Sequence, residues 1–456
     1  MITNKQTKNN SQEARISEPP LTTKAFLRYL GPAFVFTAAQ IGGGEFITVP
    51  LLAAYFGMSG LLLVPIIAFI KIFGQYYLVQ YGVTRGKTFL QSTWDYKWLR
   101  WMFFALMGGC FLHAIMMAGL LGETAGTFNF LIPLSTKIWI LIIASVAFLI
   151  VITRSYNILE KTATILLTIF ISLIVIVAIL FWPSLEEWLI ALTPSLPEAN
   201  PGLETKNSIQ TLAVLFVVLG AGFGPTISYI YYAKDKKMGM FEVNSNGHAI
   251  EPKDLTNEEI KRLKGWKKVM LYQNIISATI LSIFSTFIWI AAAQTLYKEG
   301  ATPTGWDLVP QMIIIFTTIY GEWSGLLFMI CGSLALFSSI IGPLYGFSRL
   351  WEESFEQLDV YKKYKIDRKI VFRLCVVMFT IFPLILILFS DNPMQLFSFA
   401  GIVTGPILGL TYIIPIILLY YEMKSTAPKL KPTRYWAIAL AIFSGVLMII
   451  LSLLGF

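Results

Sequence analysis

A few short stretches of this chain set groups capable of chemistry among apolar neighbours. Residues 38–50 read AAQIGGGEFITVP, placing Gln40, Gly42, Gly43, Gly44 and Glu45 in one run. Residues 220–229 read GAGFGPTISY, with Gly224, Pro225 and Thr226 at their centre. Lys71 stands in PIIAFIKIFGQYY, one helical turn before Gln75 and on the same face. His113 and Glu123 share a third apolar stretch. Carboxylate, hydroxyl, amide and backbone carbonyl are all oxygen donors, the hard set that suits Mg²⁺, Ca²⁺ or a hydrated cation. The same donors would hold the ammonium group of an organic solute. A histidine and a buried carboxylate add groups that can exchange protons.

The elements that carry these groups follow from composition. Of 456 residues 56% are hydrophobic and 13% charged, too little charge to cover a soluble protein of this length. Apolar runs of about 20 residues, enough to cross a bilayer, recur from Tyr29 onward. About eleven spans are expected, near 29–54, 60–81, 100–124, 136–153, 161–183, 209–233, 267–293, 323–347, 370–389, 395–421 and 434–454. With the N-terminus cytoplasmic, all of the 35 Lys and Arg except Lys71, Lys137, Lys206 and Lys298 fall on the cytoplasmic side. The positive-inside rule fixes this orientation, an odd number of spans then leaves Phe456 outside, and the plasma membrane is the expected location. The net charge of +9 is thus a topology signal and calls for no nucleic-acid partner.

The first 24 residues are polar and read as a disordered cytoplasmic tail without the apolar core of a signal peptide. Cys110, Cys331 and Cys375 lie in or beside apolar spans and read as small filler. The acidic loop 184–208, with Glu186, Glu187, Glu198 and Glu204, reads as an outer connector. In the inner loop 234–266, Thr256 and Glu259 have capping-box spacing, which predicts a short surface helix there. Residues 306–321 are too short for a span and read as an outer, partly re-entrant helix. No phosphate loop, nucleophile triad or zinc-ligand spacing is present, so the chain is not read as an enzyme and no cofactor is expected.

In hydrocarbon every backbone N–H and C=O must be paired, so helix breaks survive only beside protein or a watery cavity. The glycines at 42–44 weaken the first span, and Gly220, Gly222, Gly224 and Pro225 interrupt the sixth. Two breaks five spans apart run in opposite directions. That is the pattern of an inverted five-helix repeat with a site where the broken helices meet. Residues 25–183 and 209–421 are the two repeats, and 422–456 a final span. Single glycines can also serve only packing. A carboxylate at the bilayer centre is harder to dismiss, since it costs at least about 3 kcal/mol.

Four motifs carry a family resemblance: GPAFVF at 31–36, GQYYLVQYGVTRGKTFL at 74–90, GETAGT at 122–127 and LALFSSIIGPLYG at 334–346, with Arg368 and Arg373 opening the ninth span. In this order they resemble the natural-resistance-associated macrophage protein (Nramp) family of metal transporters. The resemblance implies the two-repeat fold of the LeuT/APC type. It also puts Glu123 in place of the family's third-helix glutamate, where protons are exchanged. The family's first break is Asp-Pro-Gly-Asn and its sixth Met-Pro-His. Here Gly42, Gly43, Gly44 and Glu45 replace the first, and Gly224, Pro225, Thr226 the second. The soft thioether that favours transition metals is therefore gone, and FAGIVTGPILG at 399–409 lacks the tenth-span glutamine.

The expectation is a secondary transporter of a cation, Mg²⁺ or Mn²⁺ in the first instance, with a proton as coupling ion. A carrier of an amino acid or organic cation on the same scaffold is the alternative, and a non-transporting sensor a third. Expected substrate-binding residues are Gln40, Gly42, Gly43, Glu45, Gly224 and Thr226, with Glu45 and Thr226 as metal ligands. Glu123, His113 and Lys71 form the expected proton or charge relay. Lys71 either snorkels to the interface or turns inward to pair with Glu45 or Glu123. His113 is either a proton group or a hydrogen-bonded core residue.

Overall fold

The computed structural model describes residues 15–193, 213–220, 222–245, 251–300, 313, 317, 321–390 and 392–455. Every regular element among them is a helix. Among the described residues ten helices are long and apolar enough to cross a membrane. Thr136–Ile152 is shorter, at about 25 Å against a hydrocarbon core of about 30 Å. It fills the place of the expected fourth span. The protein is a multi-pass membrane protein.

The first span has three parts: an α-helix Gly31–Gln40, a π-helix Ile41–Thr48 and an α-helix Val49–Phe56. Its cause is local. Three successive glycines give the backbone freedom, and Pro50 cannot donate to the carbonyl one turn before it. The ladder therefore widens by one residue instead of breaking. The sixth span does break. Gly220 takes φ +69° and Gly222 an extended conformation, after which a new helix runs Phe223–Asp235. Pro225 sits in the first turn of that helix, where no intrahelical N–H is required of it.

Around this pair stand the third span Arg100–Leu131, the eighth Glu322–Gln357 and the tenth Pro393–Thr426. The third packs on the eighth and tenth, while the first packs on the fifth (Tyr156–Leu180) and the eighth. The second span, Leu63–Arg85, lies between the seventh and the eleventh (Tyr435–Leu454).

Two expectations are corrected here. The capping box is present, with Thr256 N donating to Glu259 Oε2 at 2.9 Å and Glu259 N to Thr256 Oγ1 at 3.2 Å. The helix it starts is no separate surface element, because it continues unbroken through the seventh span, Asn257–Ala292. The described end of the expected disordered tail is docked against that helix. Arg15 pairs with Glu259 through Nε at 2.8 Å and Nη2 at 3.1 Å. Trp266 Nε1 donates to Ser17 O at 3.1 Å, and Ile16 is buried. One carboxylate thus closes a cap and anchors the tail. The re-entrant helix expected at 306–321 and the loop glutamates Glu198 and Glu204 fall outside the described residues, apart from Ile313, Thr317 and Gly321.

Candidate functional site

At the break in the sixth span, side chains from distant parts of the chain donate to carbonyls 216–220. Lys71 Nζ donates to the carbonyls of Phe216 at 2.9 Å, Val217 at 3.0 Å and Leu219 at 2.7 Å. Gln40 Nε2 donates to Val218 O. Gln75 Nε2 donates to Gly220 O at 3.2 Å. The N–H of Gly220 goes the other way, donating to Glu45 Oε1 at 3.0 Å. Residues of the first two spans therefore hold the break of the sixth open and fixed. Of the two readings of Lys71, the inward one holds. Its partners are backbone carbonyls and neither Glu45 nor Glu123, although its charge is close enough to act on Glu45.

Glu45 is fully buried, and its second oxygen, Oε2, has no partner among the described residues. Gln40 Oε1 is likewise buried and unpartnered. Gln40 lines a cavity of about 20 Å³, the volume of one water or one ion, which Glu45 itself does not line. Its lining includes Gln40, Gly43, His113, Gly222, Pro225 and Ser339. Ser339 Oγ accepts from Gly43 N at 3.1 Å and donates to Ala39 O at 2.5 Å, so it ties the π-helical turn to the eighth span.

The expected residues divide by position. Gln40, Gly43 and His113 meet at the cavity, and Glu45 borders the break next to it. Gly42 is pressed against the backbone of Ala335, where a side chain would collide with a carbonyl. Gly224 faces His113, whose ring occupies the space that a side chain at 224 would need. Thr226 does not line the cavity; the Tyr412 hydroxyl lies beside it and Gln75. Glu123 is buried on the same face of the third span as His113, Met116 and Leu120, one turn past Leu120. Ten residues of helix separate it from His113 by about 15 Å, too far for a direct proton hand-over. Among the described residues no three His, Cys, Asp or Glu side chains converge as a metal cluster. Reading the sequence missed Ser339, whose signal was only one of two adjacent serines in the largely apolar motif LALFSSIIGPLYG.

The half-helix beyond the break is pinned at its basic end. Asp235 accepts from Arg349 Nη2 at 2.5 Å and from the Tyr345 hydroxyl at 2.6 Å. Lys236 Nζ donates to Glu160 at 2.7 Å, and Lys234 Nζ to Glu353 at 2.5 Å. These pairs tie the sixth span to the fifth and eighth.

A family model described as natural resistance-associated macrophage protein-like matches residues 33–455. Among solved structures, a single-site variant of the manganese transporter of Eremococcus coleocola is similar at a TM-score of 0.72 and 13% identity, covering 97% of this chain and 88% of that one. The structure of MhsT with L-phenylalanine is similar at a TM-score of 0.59 and 15% identity, covering 96% and 100%. The nucleobase-cation-symport transporter Mhp1 is similar at a TM-score of 0.55 and 14% identity, covering 93% and 89%. At these identities the likeness is one of fold. No curated protein matches the chain.

Proposed function

The chain belongs to the Nramp family, and from that premise we propose that it is a secondary transporter of a divalent metal ion, bound where the first and sixth spans meet. The observation that carries this reading is the buried Oε2 of the Glu45 carboxyl, an oxygen that no group among the described residues satisfies. Gln40 Oε1 is a second buried oxygen without a partner among the described residues, on a side chain held at the same break. The manganese transport named for the structural neighbour supports a metal as cargo. The cavity volume supports an ion over an amino acid, because an organic solute needs several times the space. One carboxylate, offset by the nearby Lys71 charge, favours a hydrated or weakly held ion. Oxygen donors without a thioether favour Mg²⁺ as much as Mn²⁺.

We also infer that protons are exchanged at Glu123, that the basic end is cytoplasmic in the plasma membrane, and that residues 25–183 and 209–421 are the inverted repeats. Alternating access requires the Arg349–Asp235 and Lys236–Glu160 pairs to part, since they hold the inner half of the sixth span. The test is uptake into proteoliposomes carrying a pH-sensitive dye. Mg²⁺ should compete with Mn²⁺ within about tenfold of equal potency, and uptake should acidify the lumen. Strong exclusion of Mg²⁺, or uptake of small amines in place of either metal, would overturn the cargo assignment. A flat dye signal during metal uptake would remove the proton.

A further inference from the structure

We propose that the carbonyl oxygens of Phe216, Val217 and Leu219 form a monovalent-cation site that the Lys71 ammonium occupies permanently, as a tethered ion. Three carbonyls accept from one nitrogen, at 2.9, 3.0 and 2.7 Å. A neutral amine has only two N–H bonds to give, so three accepted bonds require the protonated form. The carbonyls end the half-helix that stops at the break, where the backbone presents its negative pole. Such half-helix ends are where transporters of this architecture hold a coupling cation.

Lys71 is positive on the carbonyl side, and Glu45 is bound to the N–H of Gly220, the residue after Leu219. Lys71 is 1% exposed, so solvent does not replace these contacts. The consequence is a break held open in every salt. A chain with a vacant carbonyl triad would need Na⁺ or K⁺ there, whereas this one carries its cation on the second span. The inference goes beyond the cargo reading and stands on the hydrogen-bond geometry alone.

Removing the tether should expose the site. The full-length protein, Lys71→Ala and Lys71→Gln are purified, and thermal unfolding is followed in NaCl, KCl, methylammonium chloride and choline chloride at equal ionic strength. Wild type should melt at one temperature in all four. Both variants should melt lower in choline and regain several degrees, saturably, in Na⁺, K⁺ or methylammonium. Lys71→Gln keeps most of the volume and two N–H donors, so it decides the matter if Lys71→Ala does not fold. Folded variant recovered only when membranes are solubilised in Na⁺ or methylammonium also supports the site. Variants indifferent to the cation, variants that fold in none of the salts, or a wild type that itself responds, would overturn it. Glu45→Gln serves as the control: it should lose uptake while its melting stays indifferent to the cation, which separates failure of the transport reading from failure of this one.

Discussion

The first and sixth spans carry the same outward signal, a cluster of glycines with a proline nearby, and they resolve it differently. The first stays helical by widening into a π-turn across Ile41–Thr48, and its glutamate points at the opposite break. The sixth leaves the helix, turning through Gly220 at φ +69° and an extended Gly222. The difference lies in what each glycine does. Gly42 is needed for approach to the eighth span, whereas Gly220 is needed for a backbone angle that other residues adopt only under strain. The first span thus stays helical with its glycines serving close packing as well, and only the sixth breaks, by conformation. That break then requires side chains from elsewhere to satisfy its carbonyls.

This contrast can be broken by substitution. Gly220→Val should have the largest effect. A β-branched residue at a left-handed angle costs about 1–3 kcal/mol, and misplacing the carbonyl cap adds to it, so uptake and folded yield should both collapse. Gly42→Ala should cost a similar or smaller amount, about 1–3 kcal/mol of overpacking, because the neighbour is backbone and cannot move aside. Melting temperatures and uptake of the two variants, measured together, check the ranking. A tolerated Gly220→Val would mean that the sixth break does not depend on that angle.

Next in size is a coupled pair. Gly224→Met alone should destabilise, because His113 fills the space. Combined with His113→Ala it should recover, with a coupling of about 0.5–3 kcal/mol in a double-mutant cycle. The double variant should also shift preference towards Mn²⁺, since a thioether then borders the cavity. Additive effects would show that the two positions are independent. The smallest effect is expected at Thr226. Thr226→Val should change uptake by less than about twofold, since its hydroxyl lies beside Tyr412 and off the cavity. A tenfold loss in the same uptake assay would return Thr226 to the site.

Much of the architecture was legible in the sequence because the bilayer leaves the backbone few options. Apolar length set the spans, glycines marked the irregular turn of the first span, and glycines with Pro225 marked the break of the sixth. The role of Lys71 was not legible. Its partners are backbone carbonyls some 145 residues away, and carbonyls carry no residue identity to read. The match between Gly224 and His113 was hidden for the same reason, as two helices must be packed before one ring is seen to fill the other's gap. The choice between a π-turn and an unwound turn at 41–48 was equally out of reach, because glycine permits both. Docking of Arg15 was missed because a polar tail resembles disorder until Glu259, already committed to a cap, is found within reach.

The central claim is that Glu45 is the anionic half of the cation site. Glu45→Gln tests it most directly, because the amide oxygen still accepts from Gly220 N and should leave the break intact. Divalent-cation uptake is measured in proteoliposomes for wild type and variant, with melting temperature as the control for folding. The account predicts that uptake of both Mg²⁺ and Mn²⁺ is abolished while the melting temperature stays near that of wild type. Uptake at the wild-type rate by a folded Glu45→Gln protein would contradict it.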